Sequence, residues 1–133
     1  MPVLRYCFQD PDAPRPNRPY SVGVVALIEQ DGRLLLDRRI DGSGWGLIGG
    51  AVELEESLAS ALRREVREET GLHVLGYDLF GTFSDPSRLL QYANGDVVRI
   101  ITLAYSVQVG RLGKLVCSSE SAELRWFGRD ELA

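Results

Sequence analysis

The chain has 133 residues, 44% of them hydrophobic and 26% charged, with a formal net charge of −4. That length makes one globular domain, burying roughly two thirds of its unfolded surface without disulfide staples. The acidic balance speaks against nucleic acid as a partner, and an anionic substrate would need metal to bind such a surface.

The longest clean apolar run, Val24 to Ile28, is far too short to cross a bilayer, and the first residues do not have the layout of a signal peptide. A cytoplasmic protein without a membrane partner is expected. Cys7 and Cys117 lie far apart and form no CxxC pattern, as expected of free thiols in a reducing compartment.

Residues 1–19 hold five of the six prolines and read as an irregular arm with a short strand near Val3 to Phe8. Such an arm suits covering a sheet edge or a second copy in a homodimer. The compact domain is expected over residues 20–133. Tyr20 to Ile28 is β-branched and continuous, as in a strand buried on both faces, and Gly32 turns the chain into a second strand, Arg33 to Arg39. A hairpin at the centre of the sheet is the expectation.

Trp45-Gly46-Leu47-Ile48-Gly49-Gly50 then forms a Gly-rich turn that feeds one amphipathic helix. Leu58, Ala61, Leu62 and Val66 fall on one stripe at about 100° per residue. Gly71 stands where a left-handed C-cap belongs. Glu65, Glu68 and Glu69, at i, i+3 and i+4, continue the apolar stripe, so the buried side of the helix turns acidic in its last turns. Carboxylates aimed at the protein body beside the negative end of the helix dipole are unfavourable unless a cation joins them. Oxygen-only donors with no His or Cys nearby suit Mg²⁺ or Mn²⁺.

The spacing is specific: Gly50, five residues, Glu56, seven residues, then Arg64-Glu65-Val66-Arg67-Glu68-Glu69-Thr70-Gly71-Leu72. A random window would match it with probability on the order of 10⁻⁹. It resembles the Nudix box, GX5EX7REUXEEXGU with U aliphatic, at every fixed position. The resemblance implies an α/β/α sandwich around a central mixed β-sheet. It also implies metal-dependent hydrolysis of the diphosphate linkage in a nucleoside diphosphate joined to another moiety, by water attack at phosphorus.

Carried over position by position, it makes Glu65, Glu68, Glu69 and the Gly50 carbonyl the metal ligands. One of the helix glutamates, Glu68 or Glu65, takes a proton from the attacking water. Arg64 orients a carboxylate, with Glu69 the expected partner, and Glu56 is an outer ligand or a structural partner. Ile48 stands where many relatives have proline, and Glu55 where glycine is common. Arg38 and Arg39 are either edge charges or, in such a phosphohydrolase, guanidiniums that hold a terminal phosphate.

Beyond the box, Val74 to Phe83 reads as a strand, Ser84 to Gln91 as a polar loop, Asn94-Gly95 as a turn and Val97 to Val109 as a long strand. His73, the only histidine, has no nucleophile motif beside it. Arg111 to Glu120 reads as a loop, in which Glu120 is either an ordinary charge or a loop-borne catalytic base of the kind some Nudix enzymes use. Ala122 to Phe127 reads as a last strand. Asp130 is placed to cap a helix, and the further C-terminal helix usual in the family is expected to be missing or to lie beyond the chain end. Tyr20, Phe83, Tyr92 and Trp126 are either packing residues or stacking partners for a base.

Two other readings compete. A non-catalytic Nudix sensor that binds nucleotide usually has a winged-helix partner and a degraded box, and neither is present. A prenyl-diphosphate isomerase on the same fold needs a nucleophilic cysteine, and neither Cys7 nor Cys117 stands beside the box.

Overall fold

The computed structural model describes residues 3–40, 42, 44–110, 115–119 and 121–132. The strands among them are β1 (Val3–Cys7), β2 (Ser21–Gln30), β3 (Arg33–Arg39), β4 (Trp45–Gly46), β5 (Ile48–Ala51), β6 (Val74–Phe83), β7 (Leu89–Tyr92), β8 (Val97–Val109) and β9 (Ser121–Gly128). Helix α1 spans Leu58–Thr70, and a 3-10 turn over Arg129–Glu131 follows β9.

Strand β2 organises the sheet. One edge runs parallel to β8 from Ser21↔Ile100 to Ile28↔Val107. A parallel pair needs a long crossover, and α1 lies within it. The other edge of β2 is shared: β5 pairs with Gly23 to Ala26, while β3 pairs only through Glu29↔Leu34 and Gln30↔Arg33.

The turn between β2 and β3 has positive φ at both Asp31 (53°) and Gly32 (76°), the tight hairpin geometry that matches strand twist. Beyond it the strands part. β3 gives its length to β9, from Arg33↔Gly128 to Arg39↔Ser121, and its last residues to β4. The expected central hairpin is therefore a two-pair hinge between two parts of the sheet, because β5 already fills the edge of β2 it would need. The far edge of β8 takes β6 and β7, and β1 adds itself to β7.

Three segments differ from expectation. The turn before the box contains strands β4 and β5, since glycine lets the backbones close up: a Cβ on Gly49 would overlap the Val24 carbonyl oxygen and lie 2.9 Å from Val25 Cα. The stretch expected as a polar loop up to Gln91 becomes strand β7 from Leu89 onward. There only Leu89 is buried, and the three half-exposed residues after it carry little alternation to read. Asp130 sits inside the 3-10 turn rather than capping a helix, and Gly128 precedes that turn.

Alternation along β2 sends Val24, Ala26 and Ile28 to the face covered by α1, where they meet Ile48, Leu62 and Val66. Burying each large member contributes about 1.5–3 kcal/mol. The helix starts at Ser57, whose hydroxyl accepts from the Ser60 amide while the Ser60 hydroxyl accepts from the Ser57 amide. It stops at Gly71, in the left-handed region at φ 77°, whose N–H donates to the Arg67 carbonyl at 2.9 Å.

The class is α/β with a mixed sheet. Among the described residues α1 is the only α-helix, so the sandwich is represented there by one helical layer. No helix among them is long and apolar enough to cross a membrane.

Candidate active site on helix α1

The last turns of α1 lie against β5 and carry the acids in three degrees of burial. Glu69 is 8% exposed, and its Oε2 accepts from the Gly49 N–H at 2.8 Å. Glu65 lies against Gly50: a Cβ there would sit 2.7 Å from the Glu65 Cδ. Glu68 is the outermost, with 56% of its side chain exposed. The three expected ligands thus share one face without meeting at a point. Among the described residues no three His, Cys, Asp or Glu side chains form a ready metal cage.

Arg64 explains part of this spread. Its Nε donates to Glu56 Oε2 at 2.6 Å and its Nη2 to Glu56 Oε1 at 2.8 Å, a two-pronged pairing. Nη1 reaches Glu65 at 2.9 Å and Glu68 at 3.3 Å, and Nη2 also donates to the Ala51 carbonyl. Arg64 therefore orients Glu56 and Glu65, and the expected partnership with Glu69 is not formed. Five residues of helix turn the two side chains about 140° apart.

Charge follows geometry. Hydrogen bonding from Arg64, then from the Glu53 amide, holds the Glu56 carboxyl down to about 2. Burial pushes Glu65 up against the opposing pull of Arg64. Burial, then the neighbouring Glu65 charge, pushes Glu69 up to about 8, with Asp37 adding to the rise and the Gly49 hydrogen bond and Arg39 opposing it.

These last two residues share a face of β3 with Leu35, while Arg38 points the other way and pairs with Glu123 at 3.4 Å on the surface. Only Arg39 of the two expected phosphate contacts is near the acids. Sequence reasoning missed Asp37: it is 1% exposed, its Oδ2 accepts from the Ser121 hydroxyl at 2.8 Å, and its Oδ1 has no partner among the described residues. The available signal was an acid two places from Leu35, on the core face of a buried run.

Comparison with known proteins bears on the same helix. A family model for the NUDIX domain matches residues 17–133. The chain belongs to the Nudix family. A MutT-like protein of Streptomyces ambofaciens is 35% identical over 132 residues, 98% of this chain and 78% of its own. The nucleoside triphosphatase NudI of Salmonella heidelberg is 34% identical over 117 residues, 83% of each chain. Among solved structures, a MutT NUDIX hydrolase from Burkholderia pseudomallei superposes with a TM-score of 0.70 at 28% identity, covering 88% of both chains. Nudix hydrolases act on acid anhydrides in phosphorus-containing compounds, and this chain is one of them.

In this Nudix domain Ile48, at the position where proline is common, is fully buried and pairs with Ala26. The box loop is thus fixed by a core side chain. On the sheet face away from α1, a cavity of about 500 Å³ opens beside Leu47 and includes Phe83, one of the four aromatic candidates; Tyr20, Tyr92 and Trp126 do not line it. A larger cavity of about 770 Å³ lies around the Asp31-Gly32 turn and Leu132 and shares Leu27 and Phe80 with the first in its wall. His73 is exposed, and Cys7 and Cys117 are free thiols, buried and exposed respectively. Glu120 lies outside the described residues.

Proposed function

We propose that the chain is a divalent-metal-dependent pyrophosphohydrolase, which cleaves the diphosphate linkage of a nucleoside diphosphate derivative by water attack at phosphorus. The observation that carries this reading is the pair Glu65 and Glu69. A half-buried and a buried carboxylate stand side by side against the backbone of Gly49 and Gly50, with Arg64 committed mainly to Glu56. The relatives called nucleoside triphosphatases support a nucleotide-derived substrate.

The residues fit the metal the family uses. Mg²⁺ prefers oxygen donors, keeps several waters and takes one or two carboxylates plus substrate phosphates, so a full protein cage is not needed. Glu65, Glu69 and the Gly50 carbonyl would hold Mg²⁺ or Mn²⁺, with the exposed Glu68 completing the set. When bound, the cation neutralises phosphate oxygens and makes water a better nucleophile at neutral pH.

The chain's own groups do the rest. Glu68, half in solvent and lightly held by Arg64, is free to turn towards a water and take its proton, with Glu65 the other candidate. Arg64 fixes Glu65 and, through Glu56 and the Ala51 carbonyl, the loop that presents Gly50. Arg39 offers its charge to a phosphate near the acids, and residues 1–19 are an arm on the domain of residues 20–133. Two free thiols support a cytoplasmic location.

A screen for phosphate and pyrophosphate release over dNTPs, nucleotide sugars, dinucleoside polyphosphates and ADP-ribose tests this. Turnover that needs Mg²⁺ or Mn²⁺ is expected with at least one class. Tight nucleotide binding without turnover across the panel would favour a sensor instead.

A further inference from the structure

Glu69 and Asp37 are the buried acids among the described residues, at 8% and 1% exposed. They stand on facing elements. Leu35 packs in the core with Leu62 and Val66 of α1, so the face of β3 that carries Leu35 looks towards the helix. Asp37 is the next residue on that face, roughly 7 Å further along the strand. Glu69 follows Val66 by three residues, about one turn of the helix. The two acids act on each other. Burial and the Glu65 charge push the Glu69 carboxyl up first, and Asp37 adds to that rise more than Arg39 takes away.

Asp37 is only half satisfied. Its Oδ2 accepts from the Ser121 hydroxyl at 2.8 Å, while its buried Oδ1 has no hydrogen-bond partner. Ser121 has one proton and spends it on Oδ2. The side chains beside Asp37 on the sheet have no donor to add, since it pairs with apolar Leu124 of β9 and with Gly46 of β4. A Cβ on Gly46 would lie 3.5 Å from Oδ1, so glycine leaves that side of the oxygen unshielded. The Thr70 hydroxyl at the end of α1 is spent on the Val66 carbonyl. The Arg64 guanidinium is taken up by Glu56, Glu65, Glu68 and the Ala51 carbonyl. A buried acceptor without a donor costs free energy, most of all when it is charged, and is the mark of a place for a water or an ion.

We propose that Asp37 is a fourth carboxylate of the cation site: aimed by Ser121, it reaches a divalent cation held at Glu65 and Glu69 through that cation's waters and raises the affinity for it. Mg²⁺ keeps several of its waters when bound, and a free acid oxygen is a partner for one of them. Among the described residues no three acids converge closely enough to ligate a metal directly, which suits a water in between. Asp37 is thus a positioning residue, contributed by β3 from outside the box. The inference rests on the metal-dependent reading and extends it to this residue.

The test is a Mn²⁺ titration of the full chain without nucleotide, with the free ion read by electron paramagnetic resonance. No anhydride is present, so the result does not depend on turnover. Asp37→Asn keeps the size of the side chain and an acceptor for Ser121, and should weaken Mn²⁺ binding by about 10- to 100-fold. Ser121→Ala leaves the charge but frees the carboxylate to turn, and should weaken binding by about tenfold. Glu123→Gln removes a negative charge from the surface of β9 and should change nothing. Thermal melting of the metal-free variants, measured beside the titration, separates a structural role: Asp37→Asn that melts lower yet binds Mn²⁺ as wild type does overturns the proposal. So does an equal loss in Glu123→Gln, which would reduce the effect to net charge. If Asp37→Asn does not fold, Ser121→Ala decides, and unchanged affinity there overturns the proposal. A wild type that takes up no Mn²⁺ overturns the metal-dependent reading itself and this inference with it.

Discussion

Glu69 holds a position that is costly for a charged carboxyl, a cost that a bound cation would offset. In the metal-free protein its carboxyl titrates at about 8 rather than at the ordinary 4.5, with burial the first cause. A raised folded-state value means stability that is full below the unfolded value and is lost as pH rises through the folded one. The metal-free protein should therefore melt lower at pH 8.5 than at pH 6, and Mg²⁺ should narrow that gap by binding the folded state. Glu69→Gln keeps an acceptor for the Gly49 amide and removes the charge. It should flatten the pH dependence, melt no lower than wild type without metal, and lose nearly all turnover; thermal scans at the two pH values read all but the last. A wild type without pH dependence in that window would sink the argument. Arg64 makes a different prediction because its guanidinium is taken up by carboxylates and the Ala51 carbonyl. Lysine keeps the charge but cannot hold both oxygens of Glu56 in the planar fork. Arg64→Lys should lower kcat by about 10- to 100-fold with little change in KM, as removal of a ligand-orienting group does. A rise in KM alone would place Arg64 on the substrate.

At the scale of the element, strand β5 is where helix and sheet are fastened together, and its two glycines separate fold from function. A Cβ on Gly49 meets backbone of β2, which cannot step aside, whereas one on Gly50 meets the end of the Glu65 side chain, which can. Gly49→Ala should destabilise the protein by about 1–3 kcal/mol in denaturant unfolding. Gly50→Ala should melt near wild type yet lose about a hundredfold in turnover through the displaced Glu65. Equal losses of stability in both would contradict the distinction. The same strand shows what was legible beforehand. Helix α1, its Gly71 cap and its acidic face follow from period and spacing, and β3, β6 and β8 carry long enough runs of β-branched and apolar residues to stand out. β4, β5 and β7 were not legible, because two to four residues cannot show alternation and their pairing is set by distant partners. The wrong partner assigned to Arg64 came from reading the box as a list of charges, when rotation around the helix puts Glu65 and Glu68 within its reach and Glu69 outside it, and the turn before Ser57 brings Glu56 to it. Asp37 was hidden in a run that otherwise reads as an ordinary strand, and only the fold brings it near Glu69.

For the whole molecule, β5 stands between the two halves of the working surface. The acids of α1 lie on one side, and the aromatic cavity beside Leu47 lies on the other. On the proposed reading an acidic chain with net charge −4 would draw in an anionic substrate through a cation held at Glu65 and Glu69 and through the charge of Arg39. On that same proposed reading this arrangement hydrolyses a phosphoric anhydride by attack of water at phosphorus. The most direct measurement is hydrolysis of the best nucleotide substrate in ¹⁸O-water with Mg²⁺, followed by phosphorus NMR of the products. Two phosphorylated fragments are expected, with one solvent oxygen on a single phosphorus of one of them and none on carbon; label at a sugar carbon, or unchanged nucleotide bound to an inactive protein, would contradict attack at phosphorus.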